Sequence, residues 1–377
     1  MGAYIGRSKA MQNNLALLEA GRFSKVPVIL WGPPGVGKTA LVRALAEKYE
    51  LPLFILVAST LDPSEINGLP AIKTVVLPDG ESITITDNTL QYWAEALMRE
   101  GRGILFFDEA STAVPATQAA MLSVLQGRLV GRHTLPDDVW MIAAANEAKD
   151  AADGWELSPP MANRFMHVNY VVDINDWYEG MTVAFGQEVS DREIEERSKI
   201  VSFLKEYPLL ANAMPKKAVE AGKAWPSYRS WDNLSRVLCN LDRVPVRSTA
   251  AAGLVGTAAA DQFSKWERTL KLPNYDDVLA APEKIDWKSL SASETYVVLN
   301  MIMGRMNADN LIASGNVFKA ASEVGEKTDV CVSLVFPMSD KIHAVAASKK
   351  DAMSVITKTM VPYLPLLKKA DVDSKLK

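Results

Sequence analysis

The amino-acid sequence predicts an α/β fold, with a parallel five-stranded sheet flanked by helices and an all-helical region after it. From about residue 7 to residue 172, short apolar runs alternate with helical periodicity, which is typical of a parallel sheet with helices on its faces. Beyond Asp173 the strand signals fade and helical periodicity takes over. A glycine-rich loop between the first strand and the next helix is the third observation.

Five runs are predicted as strands because they are short, uncharged and rich in apolar residues. They are 26–31, 53–58, 103–107, 139–145 and 166–172. Two hairpins are predicted between these strands, and they turn at Pro78-Asp79-Gly80 and at Gly131. His167, in the last strand, is predicted to be a packed core residue.

The loop after the first strand has the pattern of a phosphate-binding loop. Gly32, Gly37, Lys38 and Thr39 occupy the fixed positions of G-x-x-x-x-G-K-[ST]. Its glycines let successive N–H groups point at phosphate oxygens, and the following helix adds the positive end of its dipole. A chance glycine-rich turn is the alternative, which the flanking strand and helix disfavour. The full predicted nucleotide-contacting set is Gly32, Pro33, Pro34, Gly35, Val36, Gly37, Lys38, Thr39 and Ala40.

Two adjacent carboxylates follow the third predicted strand, GILFFDE. In an open parallel sheet, ligands bind at the carboxyl ends of the strands, where Asp108 and Glu109 emerge. Thr39 and Asp108 are suited to bind Mg²⁺, and Glu109 is suited to polarise the water that attacks the γ-phosphate. Taken alone, the pair also fits a solvated strand end.

Two further polar residues are candidates for the same reaction. Asn146 ends the run VWMIAAAN and is placed to hydrogen-bond the γ-phosphate and the attacking water, with a strand-capping amide as the alternative. Arg164 closes a short helical stretch, ELSPPMANR. It fits a charge-stabilising arginine supplied by the neighbouring subunit of a ring, with a surface salt bridge as the alternative.

The order of these motifs closely resembles that of the AAA+ ATPases, and within them the MoxR-like and dynein-related branch. The resemblance covers roughly residues 1–240 and implies ATP and Mg²⁺ as ligands. It matches Lys38 and Thr39 to the Walker A pair, Asp108 and Glu109 to the Walker B pair, Asn146 to the first sensor and Arg164 to the arginine finger.

The resemblance also implies a second sensor arginine on a helical lid, which Arg229 in PSYRSWDNL matches. Many MoxR-like chains have a proline before that arginine, whereas this chain has Tyr228. An arginine at a helix start that makes no nucleotide contact is therefore the alternative. Tyr4, Ile5 and Gly6 lie where the family often brings backbone against adenine, with an ordinary N-terminal turn as the alternative.

Three regions are predicted along the chain. They are an AAA+ nucleotide-binding α/β core over 1–173 with hairpin inserts near 71–87 and 127–138, a helical lid over 174–245 and a helical C-terminal extension over 246–377. In ring-shaped relatives both hairpins point toward the central pore. Lys73, Arg132 and His133 are therefore candidates for substrate contact, with a solvated loop face as the alternative.

The function implied by the resemblance is that of a MoxR-type homo-oligomeric ring motor, expected to be hexameric. It couples Mg·ATP hydrolysis between subunits to the remodelling or assembly of a protein partner, which in MoxR-like systems often includes a von Willebrand factor A domain protein. A nucleic-acid-directed motor, helicase or translocase-like, is the alternative because it shares this core. A scaffold that binds ATP but scarcely hydrolyses it is disfavoured by the intact Glu109. GTP is disfavoured because the Asn-Lys-x-Asp signature is absent.

Composition limits the partners and the location. A net charge of −4 argues against a broad nucleic-acid-binding face but leaves room for a few basic residues in a pore. Cys239 and Cys331 lack metal-ligand spacing, which favours a reducing compartment. No apolar run is long enough to span a membrane and no signal peptide is recognised, so a cytoplasmic location is expected.

Overall fold

The computed structural model describes residues 4–146, 156–347 and 352–360, together with residues 365, 366 and 368. The chain divides into two compact units, Gly2–Asp173 and Ile174–Lys377. The described part of the first unit contains the sheet, and the described part of the second is helical. The lid and extension boundaries remain predictions.

The first unit is built on a five-stranded parallel sheet with strand order β2-β5-β8-β1-β9, as the fold prediction required. Its strands are β1 (Val28–Trp31), β2 (Leu53–Val57), β3 (Pro70–Val76), β4 (Ser82–Asn88), β5 (Arg102–Asp108), β6 (Leu129–Val130), β7 (His133–Thr134), β8 (Asp138–Ala145) and β9 (Met166–Asn169). Its helices are α1 (Lys9–Phe23), α2 (Lys38–Lys48), α3 (Pro63–Asn67), α4 (Tyr92–Glu100), α5 (Pro115–Gly127) and α6 (Pro159–Ala162).

The strand register brings three loops to one edge of the sheet. Trp31 pairs with Ala145 and Val57 pairs with Asp108, so β1, β2, β5 and β8 all end at that edge. Phe106 and Phe107 are fully buried, which explains the uncharged character of β5. The polar residues that follow β1, β5 and β8 therefore meet in space.

Two small hairpins accompany the sheet. Strands β3 and β4 form one antiparallel pair, in which Pro70 lies opposite Asn88. Strands β6 and β7 form the other. Gly131, between β6 and β7, has a φ of 59°. A Cβ at Gly131 would lie 3.3 Å from the Asn88 Cβ, so the second hairpin packs closely against the end of the first.

The second unit is helical throughout its described part. Its helices are α7 (Ile174–Thr182), α8 (Asp191–Glu206), α9 (Ala218–Ala221), α10 (Tyr228–Leu238), α11 (Val244–Val255), α12 (Thr257–Glu267), α13 (Tyr275–Ala280), α14 (Ala292–Gly304), α15 (Leu311–Ser322), α16 (Thr328–Ala346) and α17 (Ala352–Met360). One hydrophobic cluster extends from Trp177 to Met360. Among the described helices, none is both long and apolar enough to cross a membrane.

The prediction for His167 was wrong. Its side chain is exposed, because β9 is an edge strand. The imidazole stacks on Trp31 with ring centroids 5.9 Å apart, and its Nδ1 accepts a hydrogen bond from Trp31 Nε1 at 2.9 Å. His167 thus covers an aromatic ring at the sheet edge without being part of the core.

Candidate nucleotide site

The loop between β1 and α2 takes a backbone form that requires glycine. Gly35 and Gly37 have φ values of 79° and 95°, a region that costs other residues roughly 1–2 kcal/mol. A Cβ on Gly37 would meet no atom within 4 Å, so conformation rather than space demands glycine there. Gly37 is the N-cap of α2, whose first N–H groups have no partner inside the helix. The loop thus presents backbone N–H groups and the positive helix end to a phosphate.

Lys38 places its ammonium on the inside of this loop. The residue is only 8% exposed. Its Nζ donates to the carbonyl oxygens of Gly32 at 2.6 Å and Pro33 at 3.0 Å, and to Asn146 Oδ1 at 2.8 Å. The amide of Asn146, which follows β8, is thereby oriented with its oxygen on the lysine. Two residues that are 108 positions apart thus meet beside the loop.

Thr39 and Asp108 form an oxygen pair suited to a hard cation. The Thr39 hydroxyl donates to Asp108 Oδ2 at 2.7 Å, and the Glu109 N–H donates to Asp108 Oδ1 at 3.0 Å. Mg²⁺ prefers oxygen ligands and keeps several of its waters, so a hydroxyl beside a carboxylate fits the ion. The side chains present therefore fit a Mg²⁺ next to the phosphate loop.

Glu109 lies one residue beyond β5 in a strained conformation. Its φ of 55° and ψ of 38° are left-handed, which costs a non-glycine residue roughly 1–3 kcal/mol. The carboxylate is exposed, and its Oε2 accepts a hydrogen bond from Ser59 Oγ at 2.6 Å. Such strain persists only where the surroundings fix it and is common at functional sites.

Ser59 was missed in the sequence analysis. It lies two residues beyond the end of β2, and β2 is the sheet neighbour of β5. The available signal was a polar residue at the end of the run PLFILVAS, at the same sheet edge as Asp108. Its use required knowing that β2 and β5 are adjacent.

Arg164 lies at the end of the sheet where β1 and β9 begin, whereas the phosphate loop follows the carboxyl end of β1. It precedes β9 by two residues, and the Met166 N–H donates to the Pro27 carbonyl at 2.8 Å. The chain then runs five residues from Pro27 along β1 to Gly32, roughly 16 Å at the usual strand rise. The guanidinium is half-buried and has no ion pair with any residue that the structure describes. Arg164 is therefore not brought to the loop of its own chain.

Arg229 lies in the second unit, on the first turn of α10. The Ser227 hydroxyl caps this helix by accepting from the Ser230 N–H. Arg229 itself is exposed. In the described part of the chain, its guanidinium makes no ion pair. Tyr4, Ile5 and Gly6 precede α1 in irregular backbone.

The substrate-contact candidates on the hairpins are linked through one carboxylate. Lys73 Nζ lies 3.1 Å from Asp87 Oδ2, and Arg132 Nε lies 3.6 Å from Asp87 Oδ1. The hydrogen bond from Lys73 is the main cause that lowers the pKa of Asp87. His133 is exposed. Asp87 thus connects the β3–β4 hairpin to the β6–β7 hairpin.

Comparison with known proteins gives a family match within the first unit. Residues 28–171 match the profile of the family described as "ATPase family associated with various cellular activities (AAA)". Solved structures similar to this chain include the RuvB Holliday junction branch migration motor of Thermotoga maritima, with 17% identity, 88% of each chain covered and a TM-score of 0.35. NtrX from Brucella abortus in complex with ADP shows 16% identity over 88% of this chain and 69% of that chain, with a TM-score of 0.37. At these values the similarity carries no information about substrate or partner.

Proposed function

We propose that this chain, whose residues 28–171 form an AAA ATPase domain, is a ring motor of the MoxR type. The domain hydrolyses ATP, with Mg²⁺ as its cofactor. In the proposal, hydrolysis is coupled between subunits to the remodelling or assembly of a protein partner. The observation that carries the proposal is the position of Arg164, at the end of the sheet opposite its own phosphate loop.

The residues around the loop divide the chemistry among them. Lys38 and the N–H groups of the loop bind the phosphates, while Thr39 and Asp108 bind the Mg²⁺. The ion, when bound, neutralises charge on the phosphate oxygens. The Glu109 carboxylate accepts a proton from the attacking water, and the Asn146 amide orients that water.

One charge-stabilising group is missing from this set. An arginine at the γ-phosphate is worth about 10³ to 10⁵ in turnover. Arg164 is half-buried, unpaired within the described residues and roughly 16 Å of strand away from its own loop. A neighbouring subunit that presents its Arg164 completes the site. This arrangement supports a ring, which we propose to be hexameric.

The choice of a protein partner rests on the hairpin surface. Ile72 and Val76 on β3 are 80% and 67% exposed, and exposed apolar residues favour contact with protein. The net charge of −4 disfavours a broad contact with nucleic acid. A protein with a von Willebrand factor A domain is the proposed partner class, from the resemblance alone.

The first experiment compares Lys38→Ala with Glu109→Gln in the full chain. We expect Lys38→Ala to abolish ATP binding, because no cation remains inside the loop. Glu109→Gln should bind ATP but lose about 10²- to 10⁴-fold in turnover, since the proton acceptor is gone. Binding of a fluorescent ATP analogue and phosphate release measure the two effects. Lys48→Ala, at the exposed end of the same helix, is the matched control.

The Glu109→Gln form also identifies the partner. A ring stalled with ATP bound should retain a protein that the wild-type ring releases after hydrolysis. ATPase rates with candidate proteins and with single-stranded DNA separate the two classes of partner. A many-fold stimulation by DNA, with none by protein, would replace this proposal with a nucleic-acid motor.

A further inference from the structure

The β3–β4 hairpin is a two-stranded sheet whose outer edges are open. Its register runs without a bulge from Pro70 opposite Asn88 to Val76 opposite Ser82. Among the described residues, no third strand pairs with β3 or β4. Strand β3 has seven residues, roughly 23 Å at the usual rise per residue. Its outer edge is therefore long enough to receive another strand.

The backbone groups on the outer edge of β3 belong to alternate residues. The Leu77 N–H donates to the Glu81 carbonyl at 2.8 Å, which fixes a hydrogen-bonded pair just beyond the end of the strand. Such pairs alternate along an antiparallel ladder, so Ile72, Thr74 and Val76 direct their N–H and C=O groups away from β4. Within the described chain these backbone groups have no hydrogen-bond partner. They form a row of donors and acceptors of the kind that binds an added strand.

Strand β3 lacks the features that usually protect an exposed edge. Proteins protect such edges with charged residues, prolines, bulges or very short strands. Pro70 lies only at the start of β3, and Lys73 is the one charged residue of the strand. The Lys73 ammonium is held across the hairpin by Asp87, at 3.1 Å. The edge from Ile72 to Val76 is therefore unprotected.

The surface beside this edge is apolar and exposed. Residues 72–76 are all exposed, and the side chains of Ile72 and Val76 lie on the same face of the hairpin. On that face their cross-strand neighbours are Ser82, Thr84 and Thr86. A strand added to β3 would place alternate side chains beside Ile72 and Val76, which favours apolar residues at those positions.

The second hairpin makes β3 more accessible than β4. Arg132, between β6 and β7, lies 3.6 Å from the Asp87 carboxylate near the end of β4. The Asn88 amide, at the same end, donates to the Asn67 carbonyl at 2.9 Å. In addition, Ile83 and Ile85 on β4 are half-buried, whereas residues 72–76 of β3 are exposed.

The tip of the hairpin favours a basic ligand. Asp79 and Glu81 lie at the tip and are exposed. In the part of the chain that the structure describes, neither carboxylate has an ion pair, and Lys73 is engaged by Asp87. A basic residue in the added strand complements these two carboxylates.

We propose that the outer edge of β3 binds an extended segment of the protein partner by strand addition. The segment has apolar residues at alternate positions beside Ile72 and Val76, and a basic residue near Asp79 and Glu81. The inference rests on the proposed function, in which the partner is a protein, and specifies the form in which that protein is bound. Backbone hydrogen bonds provide affinity, and the alternate side chains provide selectivity.

The test uses the full chain and a fluorescent peptide of about nine residues, in which valine and threonine alternate between terminal lysines. Fluorescence anisotropy measures the affinity. Thr74→Pro removes an outward N–H and places a ring on the edge of β3, but it removes no hydrogen bond of the hairpin ladder. We expect this variant to bind the peptide about tenfold more weakly, or worse.

Thr84→Pro is the matched control on the other strand. Thr84 lies opposite Thr74, and its N–H also points away from the ladder. This variant should bind the peptide like the wild type. Hydrogen exchange at Lys73 and Val75, whose N–H groups point into the ladder, shows whether each variant keeps its hairpin.

Two modified peptides test the mechanism on the unsubstituted protein. A peptide with N-methyl groups on alternate residues cannot donate to β3 and should lose about tenfold or more in affinity. A peptide that ends in glutamate instead of lysine should bind more weakly at low salt, and the difference should shrink at high salt. Equal affinity of the lysine and glutamate peptides at low salt would contradict the basic character of the segment.

The remaining outcomes separate this inference from the proposed function. Equal affinities of Thr74→Pro and Thr84→Pro would overturn the assignment to β3. Wild-type affinity for the N-methylated peptide, or no binding of the unmodified one, would overturn strand addition itself. If single-stranded DNA and no protein stimulates the ATPase, the proposed function fails. If a protein stimulates it and Thr74→Pro binds the peptide normally, only the inference fails.

Discussion

Ser59 forms a hydrogen bond with Glu109, the proposed proton acceptor. The hydroxyl of Ser59 donates to Glu109 Oε2 at 2.6 Å, which occupies that carboxylate oxygen and directs it toward β2. Ser59→Ala should therefore raise basal ATP turnover several-fold, up to about tenfold. Steady-state phosphate release measures this rate. Thr60→Ala is the control, because its hydroxyl bonds only the Val57 carbonyl among the described residues.

A turnover unchanged by Ser59→Ala would mean that the hydrogen bond has no role in positioning Glu109. A turnover lowered by Ser59→Ala would mean that Ser59 orients Glu109 for catalysis. Either result would contradict the restraining role. Nucleotide affinity of the variant should stay at the wild-type value, because Ser59 makes no described contact with the phosphate loop.

Candidate site residues were predictable from sequence where their chemistry depends on the spacing of residues close together in the chain. The spacing of Lys38 and Thr39 within one loop is local, and Asp108 follows from the end of an apolar run. Ser59 was not predictable, because its contact spans 50 positions and depends on which strands are neighbours. The ion pair between Asp232 on α10 and Arg197 on α8 was not predictable either, because it comes from packing between helices.

At the scale of elements, Asp87 connects two hairpins. Asp87→Asn should loosen the β6–β7 hairpin, because Arg132 loses its only described ion pair. Hydrogen exchange of the amides in the hairpin should speed up by roughly two- to fivefold. Asp79→Asn is the control, since that carboxylate caps the turn of the first hairpin through the Glu81 N–H. Unchanged exchange would show that packing at Gly131, rather than charge, joins the hairpins.

The contact between the hairpins through Asp87 should weaken at low pH. The hydrogen bond from Lys73 lowers the pKa of Asp87, so this carboxylate stays charged where an unfolded aspartate, with a pKa near 3.9, takes up a proton. The connection is therefore complete above about pH 4 and is lost as the pH falls further. Hairpin exchange corrected for intrinsic rates should be flat from pH 7 to about 5 in the wild type.

The types of the elements were predictable from sequence, whereas the ends of some strands and the order of the strands in the sheet were not. The first strand was predicted from residue 26 but begins at Val28, because the Val26 N–H donates to Gly21 of α1 and Pro27 has no N–H. The last strand was predicted over 166–172 and ends at Asn169. The placement of β1 between β8 and β9 comes from packing of the whole sheet, which no local pattern records.

At the scale of the whole molecule, the role proposed for Arg164 makes a single chain an incomplete enzyme. An arginine acting across a head-to-tail interface belongs to one subunit and serves the site of the next. Arg164→Ala should therefore bind ATP normally but hydrolyse it about 10³-fold or more slowly. A subunit with this substitution still has a complete phosphate loop, and a Glu109→Gln subunit still has a complete finger. Their defects lie on different sides of the interface.

Mixing these two inactive variants in equal amounts should restore activity. An interface is active when an Arg164→Ala site faces the finger of a Glu109→Gln neighbour, which random assembly produces at about a quarter of interfaces. ATPase activity of the exchanged mixture should thus approach about a quarter of the wild-type value. A mixture of Lys38→Ala with Glu109→Gln is the control and should stay inactive, because neither subunit offers a working site. No recovery in the first mixture, despite subunit exchange, would place Arg164 in its own subunit's site and contradict the ring mechanism.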